Sequence, residues 1–361
     1  MQITPIKPQT AVVRDTIFGL QGLRFFAAAM VVVTHVLNRT VVLYPGAMPR
    51  QPFLESGVDI FFVISGFIMV YILKPNARPL EFWLQRFTRI APLYWLFTVI
   101  AFLGGFVAPD WFFGTPSLSY AVQSLLFVPT GNNMWAHPVV NQGWTLVYEF
   151  AFYSILSLCL LLGRRPFLPV TVIIVLILTV GALAAKSFGP AGFYSDQAMM
   201  LEFLFGLAAA ALVKEQTLDP YVGVAMALVG LVLIYLIWNS DFTYPRGLKI
   251  GLPAFLVVTG VLVSEPLWQR HKSLQRIARL GDASYGIYIV HFFLVQASAR
   301  IFQTNDAIRN LMGPYVFTGL TIAVGLGVGI LAHVYLEKPM LSLVRRGLTP
   351  RPAAAPAAAK V

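Results

Sequence analysis

A chain of 361 residues that is 58% hydrophobic and only 11% charged, with a mean hydropathy of +0.74, has too little polar surface for a water-soluble fold. That excludes a soluble nucleic-acid binder, so the net charge of +11 points to basic loops facing anionic lipid or an anionic ligand. The single cysteine, Cys159, excludes an intramolecular disulfide and a cysteine-rich metal site.

Ten apolar runs are long enough to cross about 30 Å of hydrocarbon at 1.5 Å per residue. They fall near 17–38, 57–74, 88–107, 143–162, 168–186, 196–213, 220–238, 247–264, 279–301 and 313–336. The run at 118–129 is too short to cross and reads as an interfacial or re-entrant piece. No small-residue cleavage site follows the first run, which reads as a retained signal anchor. The stretch 108–142 lacks Lys and Arg, and is expected to lie outside and roof a cavity. The expected domains are a cytoplasmic segment 1–16, one membrane domain 17–340, and a disordered cytoplasmic tail 341–361 that ends in Pro/Ala-rich sequence.

With the N-terminus inside, Arg39, Arg50, Lys186, Arg246, Lys249, Arg300 and Arg309 face out and the other 19 of the 26 basic residues face in. The asymmetry predicts an all-α integral membrane protein of about ten helices with both termini cytoplasmic. No internal repeat is evident, which disfavours an inverted-repeat transporter.

Ionisable groups at bilayer depth cost about 2.5–3.5 kcal/mol on insertion scales, so they mark cavities or partners. In the first run Arg24 and His35 are eleven residues apart, three turns plus about 20°, and share one face about 16 Å apart along the axis. An interfacial arginine that snorkels and a histidine at the outer headgroups would explain them equally well. Asp59 opens the second span, where it would reach the depth of His35 and orient the imidazole. Ser65 and Gly66 on the same span permit close approach by another helix. Glu149 lies about two turns into an apolar helix, with Thr145 one turn before it, and helix packing gives no reason for a carboxylate there. Ser284, Tyr288 and His291 form a polar stripe at i, i+4 and i+7, which fits an interhelical hydrogen-bond seam as well as a site. His333 and Glu337 read as interfacial.

These residues, in order, resemble the acyltransferase 3 family of bacterial membrane acyltransferases, particularly its exopolysaccharide O-acetyltransferase (ExoZ-like) branch. The resemblance runs from about Gly19 to Pro339. It includes a basic residue separated from a histidine by ten residues (Arg24, His35) and G-V-D-x-F-F-x-I-S-G-F (Gly57 to Phe67). R-x-x-R-I-x-P-x-Y (Arg86 to Tyr94) and W-S/T-L-x-x-E (Trp144 to Glu149) follow, then S-Y-x-x-Y-L-x-H (Ser284 to His291, with Ile289 for the Leu). Larger members similar to this chain add a C-terminal extracytoplasmic hydrolase-like domain. Only a short tail follows here, so the chain is expected to act alone or hand over to a separate protein.

The resemblance implies transfer of an acetyl or similar small acyl group from cytoplasmic acyl-CoA to a hydroxyl of a cell-surface or exported saccharide, free or lipid-linked, at the bacterial inner membrane. Acetyl-CoA is then a donor substrate, with no tightly bound cofactor, no metal and no nucleic acid expected. His35, Glu149 and Asp59 are expected to be catalytic, Arg24, Arg86, Arg89, Tyr94 and Ser65 to hold the donor, and Trp144, Tyr288 and His291 to bind the acceptor. Arginines on the inner face suit CoA phosphates, although positive-inside topology also explains them. A neutral imidazole suits general-base work, and an acetyl-imidazole is the covalent alternative. A transporter or flippase for acyl groups or lipid-linked saccharides would also place Arg, Glu and His inside the membrane.

Overall fold

The computed structural model describes residues 16–74, 76–112, 117–129, 138–163, 166–184, 198–215, 218–240 and 244–348. Among these there is helix and no strand. The principal helices are α1 (Phe18–Leu43), α2 (Gly57–Ile72), α3 (Pro79–Val107), α4 (Leu118–Leu125), α5 (Gly143–Cys159) and α6 (Phe167–Ala184). Then come α7 (Met200–Glu215), α8 (Pro220–Trp238), α9 (Gly251–Val263), α10 (Ser284–Thr304), α11 (Asp306–Ala332) and α12 (Lys338–Leu348).

Local chemistry explains several boundaries. Pro79 and Pro220 open α3 and α8, where a missing N–H costs nothing. Asn305 caps α11 by accepting from the Ile308 N–H at 3.0 Å. The first helix is capped from a distance: the Glu265 carboxylate accepts from the N–H groups of Phe18 and Gly19 at 2.8 and 2.7 Å. Within α11, Gly313 takes φ +65°, ahead of Pro314, and the helix kinks there.

Among the described residues, eight helical stretches are long and apolar enough to cross a membrane, α2 being counted with the turn before it as Pro52–Ile72 and α9 likewise as Arg246–Val263. Two expected spans fall short of that measure. The described apolar part of α6 is Phe167–Val180, and α7 has 16 residues, about 24 Å of helix. The short run at 118–129 holds only the eight-residue α4. Helix α3 starts nine residues earlier than the hydropathy pattern predicts, so Arg86 and Arg89 lie within it and not at its mouth. Residues 341–348 continue as α12, and the rest of the expected tail lies outside the described residues.

Helix α2 sits at the centre, packed on α1, α5, α7 and α9. Its closest approach is to α7. A Cβ on Gly66 would strike the backbone oxygen of Phe203, and one on Gly206 would strike that of Val63. The expectation of small-residue packing at Gly66 therefore holds. The α10–α11 pair lies against the other side of α1. This arrangement brings α1, α2, α3, α5 and α10 around two cavities.

Candidate active site

The first cavity, of about 100 Å³, collects the charged groups of three helices. Arg24 of α1, Arg86 and Arg89 of α3 and Glu149 of α5 line it, together with Ser65 of α2 and Tyr285 and Tyr288 of α10. The Ser65 hydroxyl donates to Glu149 Oε1 at 2.6 Å, the short distance typical of a bond to a carboxylate. Arg24 donates to Gln21 Oε1 at 3.0 Å. The Arg86 Nε and Ser284 Oγ atoms are buried and have no hydrogen-bond partner among the described residues. Three guanidinium groups against one carboxylate leave the cavity positive, with donors to spare for an anion.

The second cavity, of about 210 Å³, lies farther along α1. His35 lines it with Thr34, Gln142, Trp144 and Arg246. Thr34 Oγ1 and both polar atoms of the Gln142 amide are buried without a hydrogen-bond partner among the described residues. Val58 and Tyr288 line both cavities. Tyr288 is fixed there by bonds between its hydroxyl and Thr145 Oγ1 at 2.9 Å and the Gln142 carbonyl at 3.3 Å. Arg24 and His35, expected to share a helix face, each open into a different cavity.

His35 meets His291 edge to edge. The ring planes are 24° apart with centroids 5.1 Å apart, and His35 Nδ1 is 2.9 Å from His291 Nε2. The ring of Phe292 meets His35 edge-on at 5.1 Å. His291, expected to bind the acceptor, is fully buried and lines neither of these cavities.

The structure also corrects the role expected of Asp59. Its carboxylate, 0% exposed, is taken by Arg246, which donates from Nη2 at 2.7 Å and from Nε at 3.1 and 3.3 Å. Arg246 also donates to the Glu55 carbonyl at 3.0 Å and lies over the Trp238 ring at 5.4 Å. The imidazole partner expected in Asp59 is instead His291. Tyr94 departs too. It is 0% exposed, lines neither cavity, and puts its hydroxyl where a Cβ on Gly143 would be 2.6 Å away. It packs α3 against α5. His333 and Glu337 are buried and bond to each other at 2.8 Å in a π-helical turn.

Sequence reasoning missed Arg246, which it counted only as a basic outer residue, and Glu202, which is fully buried beside the Asp59–Arg246 pair. Glu202 carried the same signal as Glu149, a carboxylate inside an apolar run. Arg276 and Arg279, on the expected basic face, lie outside the lining of the arginine cavity.

A bundle of membrane-length helices that encloses an arginine-lined cavity next to a histidine-lined one defines a multi-pass helical protein with charged groups held inside it. The family model for the acyltransferase domain, acyltransferase 3, matches residues 17–334, and the chain belongs to that family. It is 32% identical over 300 residues to the exopolysaccharide production protein ExoZ of Rhizobium meliloti, covering 81% of this chain and 90% of that one. It is 25% identical to the acyltransferase MdmB of Streptomyces mycarofaciens, covering 91% and 92% of the two chains. It is 20% identical to the O-acetyltransferase OatA of Staphylococcus aureus, covering 89% of this chain but 57% of OatA. No solved structure matches.

Proposed function

We propose that this acyltransferase moves an acetyl or similarly small acyl group from cytoplasmic acyl-CoA to a hydroxyl of an exported or cell-surface saccharide. The observation that carries this reading is the convergence of Arg24, Arg86 and Arg89 on one cavity that shares a wall with the cavity of His35. The unpartnered Arg86 Nε in particular suits a phosphate oxygen of the donor. The relatives named for exopolysaccharide production and O-acetyl transfer support a saccharide acceptor.

In this reading both termini are cytoplasmic, about ten segments cross the inner membrane, and the arginine cavity opens inward. The thioester reaches Tyr288, which with Val58 is common to both cavities, from that side. The acceptor enters the second cavity, where Trp144 offers an apolar face to a sugar ring and the Thr34 and Gln142 groups offer unspent hydrogen bonds. His35 removes the hydroxyl proton as the oxygen attacks the thioester carbonyl, and the leaving CoA thiolate takes that proton. Glu149, held by Ser65, balances the guanidinium charge around the donor.

The test is turnover by the purified protein in lipid nanodiscs with acetyl-CoA and extracted envelope polysaccharide. CoA release that rises with polysaccharide, together with labelled acetyl on the polymer, is the expected result. A folded protein that neither binds nor turns over acetyl-CoA would overturn the reading.

A further inference from the structure

His291 is 0% exposed, and both its ring nitrogens are engaged. Nδ1 is 3.0 Å from the Ile287 carbonyl, and Nε2 is 2.9 Å from His35 Nδ1. A carbonyl oxygen only accepts, so the His291 proton must sit on Nδ1. Neutral His291 then offers a lone pair at Nε2, and the hydrogen between the rings belongs to His35 Nδ1. An imidazole with its hydrogen on Nδ1 carries its remaining lone pair on Nε2. The neutral form of His291 is also the one its surroundings satisfy, because a buried imidazolium would have to donate from both nitrogens and would reverse the bond to His35.

We infer that His291 is a positioning residue that fixes His35 in the tautomer whose Nε2 is the base. The inference rests on the proposed role of His35 and deepens it. Through the reaction His35 Nδ1 keeps its hydrogen and its bond to His291. The acceptor O–H bond breaks toward Nε2, the oxygen–acetyl bond forms, the carbon–sulfur bond breaks, and the thiolate recovers the proton from Nε2. The imidazolium formed in between donates to the neutral His291 Nε2, which orients it as a carboxylate does in a hydrolase triad. Direct attack by Nε2 on the thioester would require the same tautomer.

The experiment is solid-state ¹⁵N NMR of histidine-labelled protein in bilayers, with His35 assigned by difference against His35→Gln. The expected spectrum has a protonated Nδ1 and an unprotonated Nε2 on His35 in the parent. His291→Gln, whose carbonyl can accept in place of Nε2, preserves it, and His291→Leu moves the hydrogen to Nε2. Turnover of acetyl-CoA should fall at least about 10²-fold in His291→Leu and stay within about tenfold of the parent in His291→Gln. A parent His35 protonated at Nε2, or equal turnover loss in the Leu and Gln variants, would overturn the inference. Should His291→Leu fail to fold, the parent and Gln spectra still decide. Parental turnover in His35→Ala would instead refute the role of His35, whichever tautomer the spectrum shows.

Discussion

Asp59 and Arg246 provide the sharpest contrast between a catalytic and a structural carboxylate. At 2.7 Å and an effective dielectric constant of 20, the attraction between the two charges is about 6 kcal/mol, most of it cancelled by desolvation. Removing one partner is a different matter. Asp59→Ala takes from Arg246 its closest counter-charge, with Glu55 3.6 Å away and 38% exposed, and should cost about 3–5 kcal/mol. Asp59→Asn keeps an acceptor for the guanidinium and should cost less, about 1–3 kcal/mol. Because the pair acts as a unit, the Asp59→Ala/Arg246→Leu double variant should be more stable than the sum of the two single losses predicts. Unfolding of the purified variants in mixed micelles, followed by tryptophan fluorescence, measures this, and acetyl-CoA turnover is assayed in parallel. Folded Asp59 variants of parental stability that lose turnover would refute the structural role and return Asp59 to the imidazole.

Arg86→Gln and Arg89→Gln should each raise the apparent KM for acetyl-CoA about tenfold or more with little change in kcat, measured by steady-state CoA release. Glu149→Gln, which keeps shape but removes charge, should lower transfer by at least about tenfold, and Ser65→Ala should lower it less, because only one donor to the carboxylate is lost. Parental rates in Glu149→Gln would show that its charge has no role. Cysteine placed at Ser117 should react with an impermeant maleimide in intact cells while cysteine placed at Ser342 should not. The reverse pattern would overturn the orientation.

The helical membrane architecture was legible because hydrocarbon thickness imposes span length, and apolar composition reports it directly. Arg24 and Glu149 were legible for the same reason, since charge at bilayer depth is costly enough to demand a cavity, whereas Arg86 and Arg89 were legible only through the family motif and as inner-face arginines. Pairing was not legible. Asp59 and His35 lie at similar positions on neighbouring helices, but which side chain each meets depends on helix rotation, and α2 turns Asp59 toward Arg246. The same limit hid Tyr94, whose place in the family motif says nothing of the direction in which α3 presents it. His291 was visible as part of a polar stripe. That the stripe faces α1 and not a cavity follows only from the packing of α10 on α1.

The most direct measurement is single-turnover transfer from [¹⁴C]acetyl-CoA by the parent and His35→Ala proteins, with acetyl-CoA binding measured on the same samples. General-base catalysis is typically worth about 10²–10⁴ in rate, on the order of 3–5 kcal/mol. The arginine cavity is separate from His35, so the variant should bind acetyl-CoA as the parent does while its transfer falls by at least that factor. A folded His35→Ala protein that transfers acetyl at a near-parental rate would contradict the account.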